Sequence, residues 1–154
     1  MVRNAVVWIV WVALIAPLGW AQEPTEAATR PLSFGAGMHF TAVQNGEFPT
    51  GVSARLWVFN QYGLEVDVFT RESNPTITLR TFYKLFDTGL VSLLAGGGVA
   101  FFSNGLSFDS TLQGAVGLEV SLGSNLVFGT EVGALLGSSV AVPVTAGAGI
   151  YYYF

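Results

Sequence analysis

The sequence predicts an all-β fold, an eight-stranded antiparallel up-and-down transmembrane β-barrel. Three observations predict it: few charged residues, a regular alternation of apolar and polar residues, and connections that alternate in length. Charged residues make up 10% of the 154 residues, well below the roughly 25% of ordinary soluble domains. Glycine (19) and phenylalanine (12) are abundant, and aromatic residues favour strands. The length fits one domain, and the absence of cysteine excludes disulfide bonds and thiolate metal sites.

The first 21 residues are predicted to be a secretory signal peptide, cleaved after Ala21. Arg3 precedes the apolar run Ala5–Leu18, and small residues follow that run, which is the pattern of a cleaved signal. The run is shorter than the ~20 residues of a membrane-spanning helix, which disfavours the alternative of an uncleaved anchor. Residues 22–31 are mostly polar and contain proline. We expect them to form a periplasmic lead-in to an outer-membrane β-barrel over residues 32–154.

From residue 32 onward, apolar and polar residues alternate, which indicates strands with two different faces. In residues 63–71, for example, Leu64 and Val66 share one face, and Glu65 and Asp67 share the other. Turn residues divide the chain into eight such runs, at approximately 32–42, 50–59, 63–71, 75–86, 89–103, 110–122, 125–136 and 142–154. Each run holds about nine or more residues, the length that a tilted transmembrane strand requires.

The connections between these runs alternate in length along the chain. Tight turns are predicted at 60–62, 87–88 and 123–124, and generally longer loops at 43–49, 72–74, 104–109 and 137–141. Short periplasmic turns and longer extracellular loops are the layout of outer-membrane barrels. Both ends of the barrel domain are therefore expected on the periplasmic side.

One face of most predicted strands is apolar, whereas the other face carries charges. Seven charged residues lie on that second face, namely Arg55, Glu65, Asp67, Arg80, Lys84, Glu119 and Glu131. A basic residue that faces lipid at the bilayer midplane costs ~2–4 kcal/mol and an acidic one somewhat less. Seven such charges would cost on the order of 10–20 kcal/mol, which rivals the ~5–15 kcal/mol stability of a whole domain. We therefore expect all seven inside the barrel, as a structural network of ion pairs.

The positions of the turns predict which charges meet. A turn centred on Gln61 would place Arg55 opposite Asp67. A loop centred between residues 73 and 74 would place Asp67 opposite Arg80 as well. The sequence therefore predicts a network around these three residues.

The other four charges are expected at the edges of this network. Glu65 and Lys84 would be diagonal neighbours, and Glu119 and Glu131 would reach in from the far wall. Nine glycines are predicted on the inward face, which leaves room for large side chains: Gly35, Gly37, Gly96, Gly98, Gly117, Gly129, Gly133, Gly147 and Gly149. The interior of an eight-stranded barrel is filled by side chains, so we expect a filled lumen.

Residues 32–154 resemble the small eight-stranded outer-membrane barrels of the OmpA-like and OmpX-like group. The most specific shared feature is the C-terminus, where the chain ends in Phe154 with Tyr152 and Ile150 at alternating positions before it. The resemblance implies that these three residues signal to the barrel-assembly machinery. It also implies an integral location in the outer membrane of a double-membraned bacterium. The predicted loops are shorter than in many members, which disfavours phage-receptor and adhesin roles.

The sequence shows few residues suited to catalysis. The single histidine, His39, lies near the outer end of the first strand and is expected to be inward or at the rim, held by hydrogen bonds. The barrels that deacylate lipid A use a histidine with a nearby serine on the same strand, whereas Thr41 stands two positions on in this chain. Glu65 and Asp67 lie among cations, which favours ion pairing over acid–base chemistry. One histidine without cysteine forms no conventional zinc site, so no catalytic residue, cofactor or metal is expected.

We expect a non-catalytic integral outer-membrane protein with a structural, envelope or surface-interaction role. Its partners would be the lipid bilayer and the barrel-assembly machinery, and we expect a monomer. Nucleic acid is an unsuitable partner, because five basic and ten acidic side chains remain once Arg3 is removed. The sequence leaves three alternatives open: a narrow pore or transporter for small or apolar solutes, a secreted soluble ligand-binding barrel, and a lipid-modifying enzyme.

Overall fold

The computed structural model describes residues 31–43, 48–70, 75–103, 108–136 and 143–154. These residues form eight strands, β1 (Leu32–Val43), β2 (Thr50–Val58), β3 (Tyr62–Thr70), β4 (Thr76–Asp87), β5 (Val91–Ser103), β6 (Phe108–Ser121), β7 (Leu126–Leu136) and β8 (Val144–Tyr153). Each strand pairs antiparallel with its neighbours in sequence, and β1 pairs with β8, so that the sheet closes into a barrel. The predicted all-β, eight-stranded, up-and-down barrel is confirmed.

The predicted signal peptide and nearly all of the predicted lead-in lie outside the described residues. No helix in the described ranges is long and apolar enough to cross a membrane. Three connections, between β2 and β3, β4 and β5, and β6 and β7, have three or four residues and lie at one end, which we call the short-turn end. The other four have four to seven residues and lie at the long-loop end. Both Leu32 and Tyr153 lie at the short-turn end.

The turn between β2 and β3 corrects the first predicted register. Phe59 and Asn60 both have positive φ, at 51° and 54°, and Gln61 N–H donates a hydrogen bond to the Val58 carbonyl at 3.1 Å. Two central residues with positive φ are characteristic of a type I′ turn. This geometry centres the pairing one residue earlier than the sequence predicted. The partner of Arg55 is therefore Glu65 and not Asp67, because moving the centre by one residue moves the partner by two.

The second predicted register is also wrong, because β3 and β4 pair about a centre one residue earlier than predicted. Arg80 lies opposite Glu65, and Asp67 lies opposite Thr78. The change in each register is an even number of residues, so it leaves every side chain on its predicted face. Asp67 and Arg80 consequently remain on the same inward face and are diagonal neighbours.

The outward face of the barrel is apolar. Its exposed side chains include Leu64, Val66, Leu79, Val116 and Ile150, and among the described strand residues no charged side chain lies on it. A β-bulge between Lys84 and Phe86 interrupts the alternation of β4. It leaves Leu85 and Phe86 both exposed and turns Asp87 inward, toward Ser92.

The buried core of the protein consists of the side chains that fill the lumen of the barrel. At the short-turn end an apolar cluster of Trp57, Phe82 and Leu94 fills the barrel, and Tyr153 packs against it. Close approach of the strands depends on inward glycines, most clearly at Gly98. A Cβ atom at that position would lie 1.9 Å from the backbone carbonyl oxygen of Leu79, so no larger residue fits without a shift of the strand.

Candidate functional site

The middle of the lumen holds a network of ionised side chains centred on Glu65, which is 0% exposed. Its Oε2 atom accepts a hydrogen bond from Nε of Arg55, and its Oε1 atom accepts one from Nη2 of Arg80. This arrangement follows from the register, because Arg55 on β2 and Arg80 on β4 are the two cross-strand partners of Glu65 on β3. Glu65 therefore bridges the two arginines.

Each arginine also reaches across the lumen to the opposite wall. Nη1 of Arg55 donates to Oε1 of Glu119 on β6. Nη1 of Arg80 donates to Oε1 of Glu131 on β7, over 2.5 Å. A guanidinium group holds five donors in a fixed plane, so one arginine can bind two carboxylates at once. The structure thus places Glu119 and Glu131 on the far side of the network.

Asp67 occupies the part of the network nearest the long-loop end and is 0% exposed. Its Oδ2 atom accepts a hydrogen bond from the Thr78 hydroxyl and lies 3.1 Å from Nη2 of Arg80. A buried carboxylate is costly unless it is paired and hydrogen bonded. Both conditions are met for Asp67 through its diagonal and direct neighbours on β4.

His39 belongs to the same network, which sequence reasoning did not predict. Its Nδ1 atom lies 3.3 Å from Oδ1 of Asp67 and 3.1 Å from Nη2 of Arg80, and its Nε2 atom lies 3.5 Å from Oε1 of Glu131. The ring is buried, in keeping with the expected inward histidine. Its inward parity on β1 predicts a buried ring, but its contacts lie on β3, β4 and β7, and the sequence carries no signal for them.

Lys84 lies apart from the network, and its predicted contact with Glu65 is wrong. Since Arg80 takes the position opposite Glu65, Lys84 falls four residues further along β4, toward the short-turn end. Its Nζ atom donates to Oδ1 of Asn60 at 2.7 Å and lies 3.2 Å from Oδ2 of Asp87. The bulge of β4 provides this partner, because it turns Asp87 inward.

Aromatic rings cover the network on the short-turn side. The Arg55 guanidinium carbon lies 4.0 Å from the ring centre of Tyr151 and 5.3 Å from that of Phe82, which are cation–π distances. One layer further, the indole N–H of Trp57 donates to the Tyr153 hydroxyl at 2.8 Å. The lumen is therefore filled by an ionic layer and then an aromatic layer.

The ionic layer has more negative than positive charge. In the described part of the chain, four carboxylates contact two guanidinium groups, through Glu65, Asp67, Glu119 and Glu131 on one side and Arg55 and Arg80 on the other. With a neutral histidine, two negative charges are in excess.

Three of these side chains are of the types that bind metal ions. The ligand atoms of His39, Glu65 and Asp67 lie within 4.8 Å of one another. The guanidinium of Arg80 already occupies the space between them, because its Nη2 atom contacts all three residues. A metal ion would have to displace this cation, so the arrangement fits an ion-pair network better than a metal centre.

The comparisons with known proteins establish the fold. No protein-family model and no curated protein matches this sequence. The N-terminal β-barrel domain of Pseudomonas aeruginosa OprF has a TM-score of 0.65 and 14% identity, over 79% of this chain and 97% of that one. Neisserial surface protein A has a TM-score of 0.54 and 12% identity, over 81% of this chain and 98% of that one. The chain has the fold of the eight-stranded outer-membrane β-barrels.

A designed transmembrane β-barrel gives a TM-score of 0.68 at 13% identity, over 81% of this chain and 98% of the designed one. Identities this low establish the shared fold and nothing finer. The membrane location follows from the fold together with the surface, because an uncharged apolar outer face and an ionic interior are stable in a bilayer and unstable in water. The protein is accordingly an integral outer-membrane barrel.

Proposed function

We propose that this protein is a non-catalytic outer-membrane barrel with a structural, envelope or surface-interaction role, and that its lumen is closed to solutes. The observation that carries the proposal is the stacking of two filled layers across the lumen. Arg55 and Arg80 form the ionic layer with their carboxylates, and Trp57, Phe82 and Leu94 form the apolar layer below it. All five side chains are at least nine-tenths buried.

A solute that crossed this lumen would have to break both layers. An ion would meet the guanidinium–carboxylate contacts around Glu65 and then an apolar layer, where an unpaired charge is costly. The soluble-barrel alternative is disfavoured by the opposite distribution of side chains, since the apolar residues Leu79 and Ile150 are exposed and the charges are inside. Catalysis is disfavoured because Asp67 and His39 are buried in mutual contacts.

Conductance in planar lipid bilayers tests the closed lumen. We expect no steady channel conductance from the wild-type protein, and measurable channels when the apolar layer is opened by Trp57→Ala together with Phe82→Ala. The matched control is Leu56→Ala together with Leu79→Ala, which removes two large outward side chains and should leave the barrel closed. Steady wild-type channels would contradict the proposal and favour the pore alternative.

The role in the envelope needs a test in cells. In a strain that lacks the gene, we expect greater uptake of a hydrophobic fluorescent dye, restored by the wild-type gene. If the variant with both Trp57→Ala and Phe82→Ala lowers dye uptake as far as the wild-type gene does, the envelope role does not depend on a closed lumen. Unchanged dye uptake in the deletion strain would favour a surface-interaction role over an envelope one.

We further propose a cleaved signal peptide, a monomeric barrel and a C-terminal assembly signal. Cleavage after Ala21 predicts that N-terminal sequencing of the mature protein begins at Gln22, and sedimentation in detergent should give the mass of one chain. The proposal for the C-terminus rests on Ile150, Tyr152 and Phe154, which are all exposed on the outward face. The Phe154 N–H donates to a β1 carbonyl at 2.9 Å, so the signal would lie at the seam where β8 meets β1.

A further inference from the structure

The half of the lumen nearest the long loops contains a cavity of about 80 Å³. Its floor is formed by the ionic layer, through Arg80 and Glu131, and its walls include the apolar side chains of Phe69, Phe102 and Leu135. The network and the aromatic layer close the lumen below it. The cavity is therefore a blind pocket in the long-loop half of the barrel and not a segment of a channel.

Two buried hydrogen-bond donors at this cavity have no partner among the residues that the structure describes. Nε of Arg80 and Nε2 of Gln113 are both buried without a hydrogen-bond partner, and both residues line the cavity. The Arg80 side chain is 4% exposed, and its other two nitrogen atoms are occupied by Glu65, Asp67 and Glu131. Buried donors without partners are rare and destabilising. A molecule that brings an acceptor oxygen into the cavity would satisfy them.

We propose that this cavity binds a small uncharged molecule that carries an amide or urea group next to a short apolar group. The carbonyl oxygen would accept hydrogen bonds from Arg80 and Gln113, the N–H groups would donate to the Glu131 carboxylate, and the apolar group would contact Phe69 and Phe102. This assignment goes beyond the closed envelope barrel proposed above, and it does not depend on the envelope role.

The charge and the size of the cavity define this ligand class. An anion would be repelled, because the ionic layer below carries more carboxylates than guanidinium groups. A simple cation would leave the donors of Arg80 and Gln113 without partners. An apolar cavity of roughly 150 Å³ accepts benzene, so a cavity of about 80 Å³ fits a molecule of roughly three or four heavy atoms. Acetamide has four and carries all three features.

Side-chain NMR of the full chain refolded in detergent micelles tests this assignment. Titration with acetamide should give saturable shifts of the Arg80 Nε–H and Gln113 Nε2 signals, whereas sodium acetate should bind at least tenfold more weakly. Gln113→Leu removes one donor at nearly constant size, and we expect roughly five- to tenfold weaker acetamide binding. Gln61→Leu is the matched control, because Gln61 lies in the turn between β2 and β3 and should leave the affinity unchanged.

A second variant makes the test independent of one hydrogen bond. Ala100 is buried at the wall of the cavity, and Ala100→Leu should fill it and abolish the acetamide shifts at Arg80. Absence of a saturable shift, equal binding of acetate, or unchanged affinity in Gln113→Leu would each overturn the proposal. If both N–H signals exchange with water but do not respond to acetamide, the proposal is also overturned, and the cavity holds ordered water only. The conductance of the barrel is a separate measurement, so the two proposals fail independently.

Discussion

Arg80 is the residue whose loss should destabilise this barrel most. In an Arg80→Met variant three carboxylates lose a cation. Glu65 keeps its bond from Arg55, and Asp67 keeps its bond from the Thr78 hydroxyl. Among the described residues, Glu131 keeps only the 3.5 Å contact with the histidine, which is too long for a good hydrogen bond. Removing one partner of a buried ion pair costs ~3–5 kcal/mol, and we expect the lower part of that range because the Glu131 side chain is 14% exposed.

A double-mutant cycle with Glu131 separates this pair from the rest of the network. In Glu131→Gln, Arg80 keeps Glu65 and Asp67, and one excess negative charge disappears, so we expect a cost of only ~1–2 kcal/mol. In the double variant the carboxylate without a partner is gone. Its cost should therefore fall below the sum of the two single costs by at least ~1 kcal/mol.

Unfolding by urea in lipid vesicles, followed by tryptophan fluorescence, measures these free energies. The sequence has four tryptophans, of which Trp8, Trp11 and Trp20 lie in the predicted signal peptide. The processed protein thus reports through Trp57, inside the lumen. Lys84→Met is the control, with a smaller cost, because Asp87 retains hydrogen bonds from Gly89 and Ser92. An Arg80→Met cost below ~1 kcal/mol, or a double-variant cost equal to the sum, would refute the reasoning.

Three further predictions concern the wall, the packing and the assembly of the barrel. Leu79→Arg places a charge on the lipid-facing surface near mid-barrel and should cost ~2–4 kcal/mol in vesicle unfolding, against ~0–1 kcal/mol for Leu126→Arg near the rim at the short-turn end. A folded barrel migrates differently on a gel before and after boiling. Gly98→Ala should abolish this difference, because its Cβ atom would lie 1.9 Å from a backbone oxygen. Gly129→Ala should keep it, because its Cβ atom would lie 3.6 Å from the nearest neighbouring atom. Phe154→Ala should lower the amount of folded barrel in cells while leaving refolding in vitro within ~1 kcal/mol of wild type; equal losses in both assays would contradict an assembly signal.

The strands and their faces could be predicted because both depend on a period of two residues. Every predicted run coincides with an observed strand within a few residues, and Glu65, Arg80 and Glu119 point inward. The pairing could not be predicted to the residue, because it depends on the turns. Phe59 adopts a positive φ that bulky residues rarely take, so composition gave no reason to centre the turn where it is.

Contacts that depend on barrel closure or on an irregular backbone could not be predicted from the sequence either. The β4 bulge, which gives Lys84 the partner Asp87, has no glycine or proline to mark it. His39 was expected to be inward, but its contacts with Asp67 and Glu131 involve strands far apart in sequence. A single histidine of known face carries no information about which carboxylates a closed barrel will bring to it.

The long-range ion pairs give the network a role in holding the closed barrel together. The contacts of Glu65 with Arg55 and Arg80 join neighbouring strands and span 10 and 15 residues of sequence, so they can form within β2–β4 alone. The contacts of the same arginines with Glu119 and Glu131 span 64 and 51 residues and require β6 and β7 to face β2–β4 across the lumen. Arg55 makes one contact of each kind, and Arg80 pairs with Glu65 and Asp67 on β3 as well as with Glu131 across the lumen. The charges that would be costly on the lipid side thus connect the two halves of the barrel from within.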